Sequence, residues 1–490
     1  MQNVKYAPEE PICAVATALA PAALGIVRCS GKNCVELVSK VFSRPAALNK
    51  AEGNTLVYGW LVDKTSGNEC LNSSEGRTAS PEATSTVSDS ISENRIDEVM
   101  VSVYRAPKSF TGEEMVEISC HGGPNVVLSV YNLLLKNGFR QAEKGEFTFR
   151  AFVNGKADLT KAEAVREIID SHTGEARSRA AGRLAGNLFE EIDSIKKLIT
   201  DTLAAIEVEI EYPEDEETIS DTFDMAWLLE ARERLSALND SWKGEKLYQD
   251  GVRVVLCGKT NAGKSSLFNA ILKEERAIVS DIEGTTRDWI ESYVDIQGIP
   301  VRLFDTAGLR ETEDVIEAQG VTITRNLASD ADLNLYIVDG SKGLCDEDRT
   351  FLKNSKNPCV LVWNKADKSE AGVSAGEANN PEYPNVRAEV KISAKKGSGF
   401  EELYKAVGSV LKEGGATERT QVGLGSQRQK DCVQEALESV SHAIMVAEEL
   451  TLDAVVQDLE DALDSLGELT GEVCADDVLE SIFSHFCVGK

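Results

Sequence analysis

The sequence predicts a multidomain protein that combines α/β and all-α domains, and three observations support this class. Short β-branched runs separated by turn residues occupy the N-terminal region, as in a mixed α/β domain. Apolar residues at helical spacing lie on both sides of a central region. That central region alternates buried-strand and helical patterns, as in a parallel-sheet domain.

A helical domain interrupted by an inserted parallel-sheet nucleotide domain accounts for this order. The chain of 490 residues has room for about three domains. The expected boundaries are 1–118 for the N-terminal α/β domain, 119–250 and 414–490 for the two parts of the discontinuous helical domain, and 251–413 for the inserted domain.

The chain begins with an apolar, alanine-rich segment at 12–27 that resembles a signal-peptide core. Glu9 and Glu10 precede it and Pro21 interrupts it, which argues against that interpretation. Short strands fit the N-terminal domain better, and they are predicted at Ile12–Thr17, Leu24–Cys29, Leu56–Leu61 and Glu98–Tyr104. The Ser/Thr-rich residues 64–95 are predicted to form a flexible surface insertion.

The helical region begins where Thr160 and Glu163 match a capping box. Apolar residues then recur at helical spacing as far as Tyr212-Pro213, inside an acidic cluster at 207–217. That cluster is typical of a solvated face, although it could also repel or recruit a partner. The linker is expected at Gly414-Gly415, and further helices are predicted at about 224–246, 427–466 and 475–486.

Composition restricts the function classes. A net charge of −30 argues against electrostatic binding of nucleic acid over the whole protein surface. If RNA binds, it must contact a local basic patch or a partner protein. The eleven cysteines include no C-x-x-C pair and the four histidines are scattered, so zinc-ligand spacing is absent. Such thiols are typical of a reducing cytosol, and no apolar run is long enough to span a bilayer.

The central domain opens with the pattern of a phosphate-binding loop. The β-branched run Val252–Leu256 predicts a buried strand, and Gly258 and Gly263-Lys264-Ser265 follow before a helical run. Backbone N–H groups of such a loop wrap a polyphosphate. Lys264 can reach the terminal phosphates and Ser265 can ligate Mg²⁺.

Two later segments complete the phosphate side of this site. Asp305-Thr306-Ala307-Gly308 follows an apolar strand, so the carboxylate can hold Mg²⁺ through water and Gly308 can approach the γ-phosphate. Gly284-Thr285-Thr286-Arg287-Asp288 lies between the loop and Asp305. Thr286 is placed to complete the Mg²⁺ shell and order a switch loop.

The base-recognition pattern favours GTP over ATP. Asn364-Lys365-Ala366-Asp367 follows a buried strand, and the Asp367 carboxylate can accept both N1–H and the 2-amino group of guanine. Adenine cannot offer that pair of donors. Ser393-Ala394-Lys395 follows a further strand and fits a backbone N–H donor to the base oxygen.

The residue after the D-x-x-G segment departs from many small GTPases. Leu309 stands where a glutamine orients the attacking water, and leucine cannot form a hydrogen bond. No arginine finger is identifiable by spacing, but a monovalent cation on the Asn261 side chain could neutralise the developing charge. Nearby candidates to position water are Arg310, Glu311, Glu313 and Glu317.

His121-Gly122-Gly123-Pro124 is a second feature that could carry function. One interpretation is a tight turn that opens a helix. The other is that Glu117, His121 and the turn line a small-molecule pocket. The residue pattern alone leaves both open and favours the simple turn.

The assembled motifs resemble the tRNA-modification GTPase family MnmE, also called TrmE, over nearly the whole chain. The resemblance rests on LGIVRCSG at 24–31, SFTGEEMVEISCHGG at 109–123, GEFTFRAFVNGKADLTKAEA at 145–164, the nucleotide motifs and the C-terminal FCVGK. Departures from the family pattern are Thr260 for a usual proline, Cys120 for a frequent glycine, Val488 for isoleucine, and the 64–95 insertion.

The resemblance implies specific roles at a folate site and a cation site. It implies that Arg28, Glu117, Lys156 and Lys490 bind 5,10-methylene- or 5-formyl-tetrahydrofolate, which makes a pocket at the Glu117–His121 turn more plausible. It implies that K⁺ is held by Asn261, Ser280, Ile282 and Thr285, and that Glu317 positions water, with Lys264 and Asn261 also catalytic. The residues expected to contact GTP are Asn261, Ala262, Gly263, Lys264, Ser265, Ser266, Ser280, Asp281, Ile282, Glu283, Gly284, Thr285, Thr286, Asp305, Thr306, Ala307, Gly308, Asn364, Lys365, Ala366, Asp367, Ser393, Ala394 and Lys395.

The resemblance also implies partners and a reaction. Family members form homodimers through the N-terminal domain, and their nucleotide domains meet when K⁺ and GTP bind. With the flavoprotein MnmG they form a heterotetramer that installs an aminomethyl or carboxymethylaminomethyl group at C5 of the wobble uridine of certain tRNAs, with folate as the one-carbon donor. Two alternatives are a regulatory GTPase in ribosome or translation assembly without one-carbon chemistry, and a folate-dependent enzyme merely gated by nucleotide. Cys487 is either a reactive thiol near this chemistry or a small packing residue.

Overall fold

The computed structural model divides the chain into two compact units. One contains residues 1–162 and 470–490, and the other contains 163–469. Residues 119–162, expected in the helical domain, fall in the first unit, and the predicted domain boundaries themselves stay a prediction. The structure describes residues 10–63, 95–211, 225–273, 277–278, 290–305, 328–368, 380–413, 422–449 and 452–490.

A six-stranded mixed sheet forms the centre of the first unit, in the order β3-β4-β5-β2-β1-β6. The predicted pairing of the first two strands is confirmed, since Cys13 lies opposite Cys29 in an antiparallel ladder. Nearly the whole of the 64–95 insertion, residues 64–94, lies outside the described residues. The strands are β1 (Ile12–Val15), β2 (Leu24–Ser30), β3 (Thr55–Val62), β4 (Arg95–Tyr104), β5 (Met115–His121) and β6 (Arg140–Gln141).

Within the part of this unit that the structure describes, five helices lie wholly inside its bounds. The turn before α3 places Pro124 at its first position, where the missing N–H costs nothing. The C-terminal helix packs by Phe483, which makes an edge contact with Phe149 at a centroid distance of 5.4 Å. The helices are α1 (Cys34–Lys40), α2 (Pro45–Lys50), α3 (Pro124–Lys136), α4 (Glu146–Val153) and, near the C-terminus, α14 (Asp476–Ser484).

The predicted capping box at Thr160 and Glu163 is wrong. The helix begins at Leu159, so Thr160 lies inside its first turn. Asp158 is the residue that caps it, because its Oδ1 accepts from the Lys161 amide at 3.0 Å. Glu163 instead pairs with Arg428 at 3.0 Å.

Helices of the second unit surround a continuous apolar core. The predicted tract is three helices rather than one, separated at Thr173 and at Gly186, which has φ +108°. Leu188, Ile192 and Ile195 of α7 are fully buried, as their spacing predicts. The helices are α5 (Leu159–Asp170), α6 (Gly174–Ala185), α7 (Asn187–Glu211), α8 (Met225–Gln249), α12 (Gln427–Glu449) and α13 (Leu452–Thr470).

A seven-stranded sheet completes the second unit, in the order β13-β12-β11-β7-β10-β9-β8. Its five central and edge strands β13, β12, β11, β7 and β10 are parallel, so their carboxyl ends share one edge. The strands are β7 (Val252–Cys257), β8 (Ala277–Ile278), β9 (Ile290–Ile296), β10 (Ile299–Asp305), β11 (Leu333–Asp339), β12 (Cys359–Asn364) and β13 (Val386–Lys391), with helices α9 (Lys264–Lys273), α10 (Asp346–Asn354) and α11 (Phe400–Glu413).

This architecture confirms the predicted fold class, with an N-terminal α/β unit, a helical region in two chain segments and a parallel-sheet region between them. Among the described residues, no helix combines the length and apolarity that a membrane crossing requires.

Candidate functional site

The loop after β7 has the backbone of a phosphate cradle. Gly258 and Gly263 have φ values of +126° and +103°, which side-chain-bearing residues rarely adopt. A Cβ on Gly258 would lie 2.2 Å from the Ile337 carbonyl oxygen, and one on Gly263 would lie 2.2 Å from Asn364 Nδ2. Both glycines are therefore required by conformation and by close packing.

Lys264 lies at the first position of α9 and points back into this loop. Its Nζ donates to the carbonyl oxygens of Gly258 at 2.9 Å and Lys259 at 3.0 Å. Ser265 and Ser266 lie in the first turn of the same helix, and both are exposed to solvent. The ammonium group, the accessible hydroxyls and the helix N-terminus thus form one positively polarised surface that suits phosphate.

Asn364 connects the loop after β7 to the two loops that the sequence predicts to recognise the base. Its Nδ2 donates to the Ala262 carbonyl at 2.9 Å, while its Oδ1 accepts from the amides of Lys365 at 2.8 Å and Ala394 at 3.0 Å. The side chain is buried, so these three bonds hold it in one orientation. One amide group thereby fixes the distance between the phosphate and base ends of the site.

Asp367 presents its carboxylate to solvent at the base end. Ser393 Oγ donates to Asp367 Oδ1 at 2.7 Å. This hydrogen bond lowers the pKa of Asp367 below its ordinary value. The carboxyl group is therefore an ionised acceptor that is oriented from one side.

Asp339 belongs to the same cluster of hydrogen-bonded side chains, although the sequence motifs do not single it out. Its carboxylate accepts from Lys365 Nζ at 2.7 Å, and the same ammonium donates to the Asn261 carbonyl at 2.7 Å. Desolvation opposes ionisation, but hydrogen bonds from Lys365 and Ser341 outweigh it and lower the pKa of Asp339 to about 2. The sequence feature that could have indicated Asp339 is its position at the end of the buried strand β11.

Asp305 is the buried last residue of β10, and it lies opposite Leu256 of the strand that feeds the phosphate loop. Its position at the carboxyl edge of the sheet suits a role beside the phosphates. The other residues that the sequence predicts to bind phosphate or K⁺ or to be catalytic lie outside the described residues, and they are Ser280, Asp281, Ile282, Glu283, Gly284, Thr285, Thr286, Thr306, Ala307, Gly308 and Glu317.

The first unit brings together Arg28, Glu117 and the end of the chain. Arg28 donates from Nε to Glu117 at 2.8 Å and from Nη1 to the Gly489 carbonyl at 3.1 Å. The rings of Phe110 and Phe147 each lie 5.7 Å from the guanidinium carbon. Phe110 is 41% exposed, so an aromatic surface borders this charged pair.

Lys156 and Lys490 have different contacts. Lys156 is exposed, and its Cγ lies beside Gly112 of the 109–123 motif. The Lys490 carbonyl accepts from the Phe147 amide at 3.2 Å, which holds the chain terminus beside α4. Cys487 is exposed, and neither of its two interpretations is tested by this placement.

His121 lies at the end of β5 and pairs with Asp97, a residue that the sequence pattern did not single out. His121 Nδ1 and Asp97 Oδ1 are 2.8 Å apart, and the His121 amide donates to Asp97 Oδ2 at 2.7 Å. The hydrogen bond to Asp97 raises the pKa of His121 above its ordinary value. The turn therefore opens α3 and also presents an oriented imidazole.

Two family models match this chain. The model of the MnmE helical domain matches residues 159–487, and that of the GTP-binding protein TrmE N-terminus matches residues 11–156. The first alone covers more than half of the sequence.

The chain belongs to the MnmE family.

Full-length relatives agree with this assignment. The chain is 48% identical to the tRNA modification GTPase MnmE of Treponema denticola, with 100% of both chains covered. It is 42% identical to that of Treponema pallidum strain Nichols, again over 100% of both. A solved structure of Aquifex aeolicus Era bound to GDP.AlF4- matches with 25% identity over 38% of this chain and 66% of that chain, but its TM-score of 0.25 adds nothing to the assignment.

Proposed function

We propose that this protein hydrolyses GTP as part of tRNA modification, as the names of its MnmE relatives indicate for them. The observation that carries the proposal is the Asn364 side chain, which joins the phosphate loop at Ala262 to the guanine-recognition loop at Ala394. A guanine nucleotide fits both ends of such a site. Turnover of GTP but not ATP by the purified protein tests this, and equal use of both nucleotides would contradict it.

At the phosphate end of the site, different groups would neutralise different parts of the negative charge. Lys264 would neutralise the terminal phosphates, and Mg²⁺, held by Ser265 and Thr286, would supply further charge neutralisation. The exposure of Ser265 in the first turn of α9 fits this metal. Asn261 and the residues Ser280, Ile282 and Thr285 would hold K⁺ in place of an arginine finger. Replacement of KCl by NaCl is expected to lower the hydrolysis rate sharply, and equal rates in the two salts would remove the cation from the mechanism.

Glu317 would orient the attacking water, because Leu309 cannot. Glu317→Ala is expected to bind GTP with wild-type affinity but to hydrolyse it at least about a hundredfold more slowly, as for loss of a catalytic base. Glu313→Ala is the matched control, since it removes a neighbouring carboxylate. Single-turnover hydrolysis and GTP titration separate the two effects. Undiminished turnover by Glu317→Ala would assign water positioning to another group.

A tetrahydrofolate one-carbon donor fits the first unit. Glu117 is oriented by Arg28, and the exposed Phe110 ring lies beside them, so an aromatic pterin would meet both stacking surface and hydrogen-bonding groups. Arg28, Glu117, Lys156 and Lys490 would hold this cofactor, which would supply the one-carbon unit. Calorimetric titration with 5-formyl-tetrahydrofolate tests this. Absence of binding by a protein that still hydrolyses GTP would favour a regulatory GTPase instead.

The wider assembly is part of the same proposal. The protein would act in the cytoplasm as a homodimer and form a heterotetramer with the flavoprotein MnmG on tRNA. The strongly acidic chain has a net charge of −30, so a basic partner surface would help it to hold tRNA. In a deletion strain, the wobble uridine of tRNA is expected to lack the C5 modification, which nucleoside mass spectrometry would detect. An unchanged wobble uridine would argue against this assembly.

A further inference from the structure

The hairpin of β9 and β10 has one end at the sheet edge that carries Asp305 and its tip at Gly298. β9 begins at Ile290, two residues after the end of the predicted switch segment 284–288, and β10 ends at Asp305. The two strands pair without a register shift from Ile296–Ile299 to Ile290–Asp305. Seven paired residues make a stiff ribbon roughly 20 Å long, so movement at one end displaces the other.

The tip of this hairpin lies against the N-terminus of α6. Thr173 Oγ1 donates to the Gly298 carbonyl at 2.7 Å, and the same oxygen accepts from the Ala176 amide at 3.2 Å as the N-cap of α6. Thr173 is buried at 6% exposure. A Cβ on Gly298 would lie 3.1 Å from Glu175 Cβ, so the tip and the first turn are in close contact.

A stacked pair of rings supports this contact on one side. His172 and Tyr293 have centroids 4.1 Å apart with an interplanar angle of 24°. Arg302 of β10 lies over the same Tyr293 ring at 5.7 Å. Burial lowers the pKa of His172, and Arg302 lowers it further against the opposing effect of Asp170, which favours a neutral, stacking imidazole.

The remainder of α6 is anchored in the helical core by charge. Arg183 Nη1 pairs with Glu245 of α8 at 2.9 Å, and its Nη2 pairs with Glu167 of α5 at 2.6 Å. Arg179 also pairs with Glu245. Because these groups are mostly buried, their ion pairs restrict the movement of α6 relative to its neighbours. A displacement of α6 would therefore also displace α5 and α8.

We propose that Thr173 and His172 are positioning residues that couple the hairpin to α6, so that nucleotide state is transmitted from the Asp305 end of the hairpin into the helical core. This inference rests on the proposed GTPase function and deepens it. The Thr173 hydroxyl is the central element, since one group both caps α6 and holds the hairpin tip. Its loss separates the two parts without touching the nucleotide site.

Hydrogen exchange of the full-length protein tests the coupling. In the wild type, a non-hydrolysable GTP analogue in KCl is expected to change the exchange rate of the α6 amides from Ala176 onward. In Thr173→Ala, loss of the cap raises their exchange roughly fivefold with or without nucleotide, and the response to nucleotide disappears. Thr173→Ser retains the hydroxyl and is expected to retain the response. GTP hydrolysis stays at the wild-type rate in both variants.

A second pair of variants keeps the test decisive if Thr173→Ala folds poorly. His172→Ala removes the stacked ring and is expected to weaken the nucleotide response, whereas His172→Phe preserves stacking and the response. A purely structural role would raise exchange but leave the response to nucleotide intact, and this outcome would overturn the inference.

The failures of the two proposals are distinguishable. A wild-type protein that neither binds nor hydrolyses GTP would remove the proposed function. A wild-type protein that hydrolyses GTP, while α6 exchange is the same with and without the analogue, would overturn the coupling alone.

Discussion

Asp367 is a side chain whose chemistry depends on a neighbour that is distant in sequence. Its ionised carboxylate is exposed, as the proposed contact with guanine requires, and one oxygen accepts a hydrogen bond from the Ser393 hydroxyl. The base-recognition loop is therefore ordered by a residue from the next loop along the sheet. Replacement of Asp367 removes the carboxylate itself, whereas replacement of Ser393 removes only the hydrogen bond that orients it.

Asp367→Asn is expected to weaken GTP binding roughly tenfold to 150-fold. The carboxamide has one acceptor oxygen and presents a donor to the donors of guanine, and a hydrogen bond to a charged group contributes about 1.5–3 kcal/mol. Calorimetric titration with GTP measures the loss. Ser393→Ala is the control, because it keeps the carboxylate and should lose less affinity. Equal GTP affinity in Asp367→Asn and wild type would refute the role.

His121 provides a prediction about pH. Its hydrogen bond to Asp97 raises the folded-state pKa above the ordinary value near 6.5, so the protonated ring is favoured in the folded protein. This stabilisation is fully present below the unfolded pKa and is lost as pH rises through the folded pKa. It is small because the imidazole is 69% exposed.

An NMR titration of the His121 ring measures this effect. In Asp97→Asn the pKa is expected to fall toward the ordinary value, because the carboxylate charge is gone while the local shape is kept. An unaltered His121 titration in this variant would show that the Asp97 charge is not the cause.

At the scale of elements, the phosphate loop depends on contacts that its own sequence does not contain. Gly258 packs against Ile337 of β11, and Gly263 packs against Asn364 of β12. The glycine motif predicts the loop, but the neighbouring parallel strands decide how closely it is held. The loop is therefore a part of the sheet as well as a ligand cradle.

Gly258→Ala is expected to destabilise the protein by about 2–4 kcal/mol, from backbone strain at φ +126° and overlap with the Ile337 carbonyl. Gly343→Ala is the matched control. Gly343 also has a positive φ, +74°, but a Cβ there meets nothing within 4 Å, so about 1 kcal/mol is expected from strain alone. Urea unfolding followed by circular dichroism compares them, and equal losses would mean that close packing contributes nothing.

At the scale of the whole molecule, the first unit is built from both ends of the chain. Arg28 and Gly489 are 461 positions apart in sequence, yet the guanidinium donates to that carbonyl. An isolated bridge between Lys144 and Val488 secures the same terminal segment. The predicted folate site therefore depends on the last residues of the chain, whereas the phosphate loop lies in the other unit.

Deletion of residues 487–490 is expected to weaken 5-formyl-tetrahydrofolate binding at least about tenfold, because Arg28 loses a partner that holds it beside Glu117. Val488→Ala is the control, since it alters an exposed side chain and leaves the backbone bonds in place. Calorimetry measures folate affinity and a phosphate-release assay measures GTP hydrolysis, which should be unchanged. Wild-type folate affinity in the shortened protein would refute the arrangement.

Much of the fold follows from local patterns. Three features depend on residues that are close in sequence: the first strand pair, the buried spacing of α7, and the strand–loop–helix unit at Val252–Lys273. The periodicity of such neighbouring residues is visible in the sequence itself. The capping box fails for a related reason. Thr160 and Asp158 can both accept from helix amides, but the helix begins at Leu159, which leaves Asp158 in the capping position.

The sequence by itself determined the fold class, the MnmE resemblance and the residues that could recognise a guanine nucleotide, because fixed local spacings encode loops at strand ends. Only the tertiary structure decided that Asp339 holds Lys365, that Asp97 orients His121 and that Thr173 receives the tip of the β9–β10 hairpin. Each of these bonds joins residues from separate elements. A side chain's type shows that it needs a partner, but only the packed fold brings one particular partner within hydrogen-bond distance.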